Sequence, residues 1–437
     1  MRKLLLNVTM VMIGLSGFAQ TEIDFKEYTL DNGLHVILHE DHSTPIVAVS
    51  VLYHVGSKNE KPGRSGFAHF FEHLMFEGSA NIDRGEFMKI VQSNGGTLNA
   101  NTSHDRTFYY EILPSNQLEL GLWLESERML HATVDETGVE TQREVVKEEK
   151  LMRYDNRPYG SFIENMFSRA YVVHPYQNIP IGSMADLDAA GMEDFTDFYK
   201  TYYVPNNATL SIAGDLEEKE AMEMIEIYFG SIPSSGKPIK KPDSSMQPLT
   251  SEVMDTIYDN IQLPAVFLGY RMPPQGTKDA YAIEMLTTLL SDGQSSRLYK
   301  RFVDGEKLAV AVQAFPYGLE DGGLFITLGV SNMGKDPKEL KKGIDEEIKE
   351  VRTNLISEKE YTRVLNQLEN NFIASNSSMA GIAESLANYH VYFNDANLIN
   401  TEIEKYRAIT REDLKQAAKQ YLKDNSRVVL YYLPKEQ

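Results

Sequence analysis

Residues 66–77 read Gly-Phe-Ala-His-Phe-Phe-Glu-His-Leu-Met-Phe-Glu, a segment with helical periodicity and no proline. A helix over this segment places His69, Glu72 and His73 at positions i, i+3 and i+4, so their side chains share one face. Two imidazoles one turn apart can bind one zinc ion, and a carboxylate beside them can reach a zinc-bound water without being a ligand. The H-x-x-E-H spacing therefore predicts a catalytic zinc site.

The third zinc ligand is expected further along the chain. A catalytic zinc site has three protein ligands and an open position, and in a chain without cysteine the third ligand must be His, Asp or Glu. Residues 142–151, Gln-Arg-Glu-Val-Val-Lys-Glu-Glu-Lys-Leu, predict a second helix that carries several carboxylates. A charged run is more often a solvated helix face than a ligand set. The residues alone leave four candidates open: Glu140, Glu144, Glu148 and Glu149.

The composition restricts the class of protein. The 437 residues are 42% hydrophobic and 24% charged, as in soluble globular proteins, and their number suggests two or three domains. A formal net charge of -20 would repel a phosphate backbone, which disfavours nucleic acid as a partner.

The N-terminus has the pattern of a secretory signal peptide at residues 1–19. Arg2 and Lys3 precede an apolar stretch at residues 4–18, and small residues lead up to a cleavage site after Ala19. This stretch of about 15 residues is shorter than the ~20 needed to span a bilayer. We therefore expect a periplasmic or secreted mature chain with no membrane span.

The chain is interpreted as two copies of one α+β domain. At an offset of 219 residues, Pro45 aligns with Pro264 and Tyr202 with Tyr421, and similar local patterns surround the aligned residues. Each half begins with a β-rich run, continues through an apolar helix and ends with a helix followed by a strand. A segment rich in Pro, Ser and Lys near the middle predicts a linker. The expected parts are listed in order: signal peptide 1–19, N-terminal catalytic domain 20–235, linker 236–250 and C-terminal non-catalytic domain 251–437.

The motif, followed 76 residues after His73 by the second glutamate of Val-Val-Lys-Glu-Glu149, resembles the pitrilysin/insulinase family of zinc peptidases. That family includes the mitochondrial processing peptidase, and the resemblance covers essentially the mature chain. It implies two homologous domains, each a mostly antiparallel β-sheet flanked by α-helices. It also implies one Zn²⁺ per chain held by His69, His73 and Glu149, with Glu72 as the general base that activates a zinc-bound water. The expected activity is a zinc metalloendopeptidase acting on peptides or unfolded polypeptides.

The resemblance also assigns substrate binding to the segment that contains Asn99 and Ala100. In relatives the matching segment forms an edge strand that captures substrate by backbone pairing, whereas an ordinary strand after the Gly95-Gly96 turn is the alternative. Gln142 departs from the pattern, because some relatives have a glutamate seven residues before the third ligand. A charge beside the zinc ligands is therefore missing here.

A second departure concerns the partner chain. Active relatives complete the site with an arginine and a tyrosine seven residues apart, and Val303 and Val310 stand at these positions. Relatives of this length are dimers, some of which divide the two sets of residues between two chains. We therefore expect a heterodimer with a homologous subunit that lacks H-x-x-E-H and carries the Arg/Tyr pair, with a homodimer as the alternative.

The second half has no metal motif of its own. At the same offset, the residues opposite His69, Glu72, His73 and Glu149 are Thr288, Ser291, Asp292 and Leu368. Scattered histidines are interpreted as packing or surface residues, among them His42, His54, His104, His131 and His390. A non-catalytic scaffold or a peptide-binding subunit is the alternative function.

Overall fold

The computed structural model of the protein describes residues 22–236 and 238–435. The expected signal peptide at residues 1–19 lies outside this part of the chain. Among the described residues, no helix has the length and apolar character needed to cross a bilayer.

Strands and helices alternate through both halves of the chain. The strands, labelled β1 to β11, are Lys26–Thr29, His35–Glu40, Ile46–Tyr53, Thr97–Thr102, Thr107–Pro114, Ala208–Gly214, Val253–Asp259, Ala265–Arg271, Ala309–Tyr317, Leu324–Ser331 and Arg427–Pro434. The helices, labelled α1 to α14, are Phe67–Leu74, Phe87–Ser93, Leu118–His131, Glu136–Lys150, Phe162–Ala170, Met184–Ala189, Met192–Tyr202, Glu218–Phe229, Lys278–Ser291, Pro337–Thr353, Glu358–Ser375, Met379–Phe393, Leu398–Arg407 and Arg411–Tyr421. The described residues also include two π-helical segments, Leu151–Asp155 and Tyr299–Gly305.

The strands form two sheets that share a five-stranded topology, to which the first sheet adds β1. The first sheet has the order β1-β2-β6-β3-β5-β4, and the second has the order β7-β11-β8-β10-β9. In each sheet one pair is parallel, β2 with β6 and β7 with β11, and the other pairs are antiparallel. Strand for strand, the second sheet repeats β2-β6-β3-β5-β4. This confirms the α+β fold of two homologous, mostly antiparallel halves.

The central strand β3 shows why the sequence forms these sheets. Its residues Ile46–Tyr53, Ile-Val-Ala-Val-Ser-Val-Leu-Tyr, are rich in β-branched side chains and almost all are buried. A strand that is apolar on both faces must be covered on both. Helices α3 and α12 both contact β3 and supply these covers.

The two halves exchange one helix each. Helix α5 belongs to the first half of the chain but packs on β8 and β11, where the rings of Phe162 and Phe267 stack with centroids 4.8 Å apart. Helix α12 belongs to the second half but packs on β2, β3 and β6, where Leu386 shares a buried cluster with Ile37 and Ala213. The core of each half therefore includes side chains from the other half.

Candidate metal centre

Helix α1 carries the three motif residues, and two features position its first turn. Gly66 precedes the helix with φ +95°, and an added Cβ there would lie 2.9 Å from the carbonyl oxygen of Ile181. The Glu60 carboxylate accepts hydrogen bonds from the backbone N–H groups of Gly66 and Ala68, each at 3.0 Å. These bonds pair backbone donors that a helix N-terminus otherwise leaves without partners. His69 and His73 therefore project from a helix whose start is fixed.

Helix α4 packs directly against α1 and brings a carboxylate to it. It begins at the Asp135 N-cap, whose side chain accepts from the Gly138 N–H. Glu149 lies in its last turn, just before the π-helical segment Leu151–Asp155. The Oε1 atom of Glu149 accepts from Arg153 Nη1 at 2.7 Å, which leaves Oε2 directed at the histidines.

The structure distinguishes among the four carboxylates that the sequence left open. Glu140 and Glu144 have exposed side chains that pair with Arg143 and Lys147, and Glu148 is exposed. Glu149 is the one that meets the motif histidines. The others form the solvated face that is usual for a charged run.

The donor atoms of His69, His73 and Glu149 all lie within 4.8 Å of one another. Glu149 Oε2 is 3.2 Å from His73 Nε2 and 3.6 Å from His69 Nε2. Two imidazoles and one carboxylate form a typical catalytic zinc donor set with one position left open, and bonds of about 2 Å suit these separations. The residues therefore fit a zinc ion.

The electrostatic surroundings shift the pKa values of the three side chains in different directions. Burial and the neighbouring His73 lower the pKa of His69 to about 4, which keeps its imidazole neutral and its lone pair free. The hydrogen bond from His73 lowers the pKa of Glu149 and outweighs the opposing effect of burial. Burial alone would lower the pKa of His73, but its hydrogen bond to Glu149 raises it.

Gln142 connects His73 to a second carboxylate. His73 Nδ1 lies 3.1 Å from Gln142 Oε1, and Gln142 Nε2 donates to Glu77 Oε1 at 2.5 Å. Glu77 in turn accepts from Arg84 Nη1 at 2.8 Å. With the proton on Nδ1, the Nε2 lone pair of His73 faces the metal position, an arrangement that second-sphere partners commonly enforce. His69 Nδ1, by contrast, is buried without a hydrogen-bond partner among the described residues.

Glu72 faces the edge of the first sheet. Its Oε2 atom accepts a hydrogen bond of 2.6 Å from the Thr102 hydroxyl at the end of β4. Burial raises the pKa of Glu72, although the Thr102 bond lowers it in part. A raised pKa makes this half-buried carboxylate a stronger base, which is the direction that general-base catalysis near neutral pH requires.

The substrate-binding residues expected from the sequence lie on this same strand. Asn99 and Ala100 are in the middle of β4, paired with Tyr110 and Tyr109 of β5. Strand β4 is the last in its sheet, so within the described part of the chain its other edge pairs with no strand. Thr102, the last residue of β4, connects this strand to Glu72 through its hydroxyl hydrogen bond.

Three contacts at this site were not anticipated from the sequence: Glu60 capping α1, Thr102 on Glu72, and Glu77 behind Gln142. Glu77 follows His73 by only four residues, so it is close to the site along the chain, although α1 ends before it at Leu74. The other two depend on segments that meet only in the folded chain, and no local pattern indicates them.

The second half presents different chemistry at the corresponding positions. Thr288 lies in α9 and bonds through its hydroxyl to the Glu284 carbonyl. Val310 is 47% exposed on β9, the counterpart of β4, and Val303 lies in the π-helical segment Tyr299–Gly305. An arginine and a tyrosine are thus missing at the two aligned positions.

Two family models match successive parts of the chain. Residues 35–182 match the family model described as insulinase (peptidase family M16), and residues 190–368 match the model described as the peptidase M16 inactive domain. The chain is 31% identical to the zinc protease PqqE of Helicobacter pylori over 98% of this chain and 97% of that protein.

Solved structures show the same fold. A crystal structure of a protease from Helicobacter pylori superposes with a TM-score of 0.90 at 31% identity and covers 94% of this chain and 100% of that one. The periplasmic protease PqqL of Escherichia coli superposes at 0.76 with 20% identity over 94% of this chain and 48% of that one. The chain belongs to the insulinase family of peptidases, family M16.

Proposed function

We propose that this chain is a zinc-dependent endopeptidase that hydrolyses peptides or unfolded polypeptides. His69, His73 and Glu149 hold the zinc ion, and Glu72 is the general base. The observation that carries the proposal is the meeting of three donor atoms within 4.8 Å beside a half-buried glutamate on the same helix face. The similarity to a protein named as a zinc protease supports it.

Each residue has a distinct task in the proposed reaction. A zinc ion in such a site supplies Lewis acidity toward a carbonyl group and toward water. Glu72 accepts the proton of the attacking water and returns it to the leaving amine. The Thr102 hydroxyl donates to Glu72 Oε2 at 2.6 Å and so orients the carboxylate.

Strand β4 supplies the proposed substrate-binding edge. An extended peptide that pairs with Asn99 and Ala100 would lie along the strand whose last residue contacts Glu72. Such β-augmentation recognises main chain in an extended conformation, so unfolded segments are the natural substrates. N-methylation of the peptide amides that pair with β4 should raise KM far more than N-methylation one residue along, where the amide faces away.

We propose a homologous partner chain for full activity. The absence of an arginine and a tyrosine at Val303 and Val310 supports a heterodimer in which the partner carries that pair. It also favours the alternative, a peptide-binding or scaffold subunit, if no such partner exists. Co-purification from source cells followed by mass spectrometry identifies the partner. Full activity of the isolated chain would contradict the requirement and leave a homodimer.

We propose the periplasm or the extracellular medium as the location. The signal-like residues 1–19 support it, and so does the description of the Escherichia coli neighbour as periplasmic. Cell fractionation and N-terminal sequencing test it. A cytoplasmic protein that retains residues 1–19 would contradict it.

Hydrolysis of a quenched-fluorescent peptide library tests the activity. The mature chain, alone and with its co-purified partner, is assayed before chelation, after chelation and after zinc is restored. We expect cleavage that chelation abolishes and zinc restores. Cleavage that is insensitive to chelation would contradict the proposal. A chain that binds zinc but cleaves nothing in either form would favour the peptide-binding alternative.

A further inference from the structure

A second group of two histidines and one glutamate lies where the first sheet meets α12. Glu27 is on β1, His35 begins β2, and His390 lies in the last turn of α12. His35 and Ile37 alternate to the same face of β2, and Ile37 packs in the cluster with residues of α12. His390 follows Leu386 of that cluster by one helical turn. Strand and helix periodicity thus direct both histidines to the same junction.

The distances in this group resemble those at the catalytic centre. Glu27 Oε2 lies 2.9 Å from His35 Nε2 and 3.6 Å from His390 Nδ1. At the catalytic centre the corresponding separations from Glu149 Oε2 are 3.2 and 3.6 Å. A tetrahedral zinc with bonds near 2.05 Å separates its ligand atoms by roughly 3.3 Å. In both groups all three donor atoms lie within 4.8 Å of one another.

We infer that Glu27, His35 and His390 form a second divalent-metal site that fastens α12 to the first sheet. Imidazole and carboxylate ligands suit a transition metal such as zinc. The site is separate from the catalytic centre, because β2 and β4 are four strand spacings apart, roughly 19 Å. His390 was interpreted from the sequence as a packing or surface residue, and the inference assigns it a different role.

One local adjustment accompanies metal binding. The two rings are stacked, with centroids 3.5 Å apart and 4° between their planes, so their in-plane lone pairs run side by side. Convergence on one ion requires a ring to turn about χ2, a torsion that is broad for histidine. Since Glu27 is 39% exposed, its carboxylate can follow the ion from the solvent side.

The site has a structural consequence. Glu27 and His35 belong to the first half of the chain, and His390 belongs to the second. A metal bound only by the folded arrangement stabilises it by mass action. Zinc should therefore strengthen the attachment of α12 independently of the catalytic ion.

Zinc titration of the tag-free mature chain tests the inference. The catalytic ligands are first removed by His69→Ala with His73→Ala, so that remaining zinc reports the second site. We expect this variant to bind one equivalent of Zn²⁺ and to gain several degrees in Tm when zinc is added. Addition of Glu27→Gln, which keeps the side-chain shape, should abolish both effects, and so should His35→Ala with His390→Ala.

His42→Ala in the same background is the matched control. His42 also contacts two carboxylates, Asp215 at 2.7 Å and Glu40 at 3.1 Å, but these atoms do not converge on one position. This control should keep its zinc and its thermal shift. The inference is overturned if the catalytic-site variant binds no zinc, or if its zinc and thermal shift survive Glu27→Gln. Circular dichroism confirms that each variant is folded, and both readouts are independent of peptidase activity.

Discussion

At the scale of single residues, Gln142 shows how a neutral side chain can replace a charged one. Its amide oxygen accepts from His73 and its amide nitrogen donates to Glu77. A glutamate at this position would bring a second carboxylate against Glu77, with like charges about 2.5 Å apart. The charge that the sequence lacks at residue 142 is thus supplied by Glu77, one hydrogen bond further from the metal position.

Gln142→Ala should weaken zinc binding without removing a ligand. Loss of a partner behind a metal-binding histidine typically costs roughly 10–100-fold in affinity. Competition with a fluorescent chelator measures the change. Gln416→Ala is the control, because Gln416 also donates to a glutamate but lies exposed on α14. Equal zinc affinity in both variants would show that Gln142 does not position His73.

The first half contains a buried ionic cluster that should be intolerant of losing its cation. Arg128 is fully buried and lies 3.1 Å from both Glu111 and Glu125. Removal of one partner from a buried ion pair costs roughly 3–5 kcal/mol, because the remaining charge stays desolvated. Burial and the neighbouring Glu125 raise the pKa of Glu111 well above its usual range, so neutral Glu111→Gln should cost much less.

Urea unfolding measures this difference. Arg128→Met should lower the free energy of unfolding by roughly 3–5 kcal/mol. Arg407→Met, which removes exposed pairs with Glu369 and Glu404, is the control and should cost less than about 1 kcal/mol. Similar losses in the two arginine variants would argue against an uncompensated buried charge.

At the scale of elements, the start of α1 determines where both motif histidines point. Glu60→Ala removes the acceptor for the Gly66 and Ala68 N–H groups, and loss of a helix cap costs roughly 0.5–2 kcal/mol. We expect this loss of stability together with weaker zinc binding. Thermal unfolding and chelator competition measure the two effects separately.

Asp336→Ala separates capping from metal binding. Asp336 caps α10 by accepting from the Lys338 N–H, far along the chain from the motif. The Asp336→Ala variant should lose about as much free energy of unfolding as Glu60→Ala does, but it should keep wild-type zinc affinity. If Glu60→Ala also kept wild-type zinc affinity, the cap would serve stability alone.

The elements differ in how far the sequence predicts them. Residues 66–77 predict a helix, and α1 spans Phe67–Leu74. The second helix, expected over residues 142–151, begins earlier, at Glu136, because Asp135 caps it there. The spacing of His69, Glu72 and His73 is local and therefore predictable. The choice of Glu149 among its neighbours depends on how α4 packs on α1, so the residues alone left it open.

At the scale of the whole molecule, an ionic network joins the two halves. Lys58 and Asp105 of the first half pair at 2.9 Å, and Lys58 also pairs with Glu320 of the second half. His54 Nε2 lies 2.8 Å from Glu320 Oε2. Burial alone would raise the pKa of Glu320, but His54 and Lys58 outweigh it and lower the pKa to about 2.

This network gives a pH dependence of known sign. Because the folded pKa of Glu320 lies below its unfolded value of 4.5, its contribution is complete above that pH and disappears as pH falls toward 2. Glu320→Gln should cost roughly 1.5–3 kcal/mol near neutral pH. Urea unfolding of both proteins should show this difference shrinking below pH 4.5.

Glu404→Gln is the matched control for the pH experiment. Glu404 pairs with Arg407 on the surface of α13, so its loss should have little effect at any pH. A Glu320→Gln difference that stayed constant down to acid pH would contradict the assigned ionic role.

The duplicated architecture was predictable from a single sequence offset, but the exchange of α5 and α12 was not. The two halves have the same strand order, and residues aligned by the offset lie in corresponding elements. Tyr202 in α7 and Tyr421 in α14 are one such pair. Helical periodicity tells which face of a helix is apolar, not which of two similar sheets covers it. The placement of His390 beside His35 follows from that exchange.

The most direct test of the central claim compares the wild-type chain with Glu72→Gln. Both proteins, with any co-purified partner, are assayed for zinc content and for peptide cleavage. We predict equal zinc content, because Glu72 is not a ligand, and a loss of turnover of about 10²–10⁴-fold, because the general base is gone. Wild-type turnover by Glu72→Gln would contradict the account.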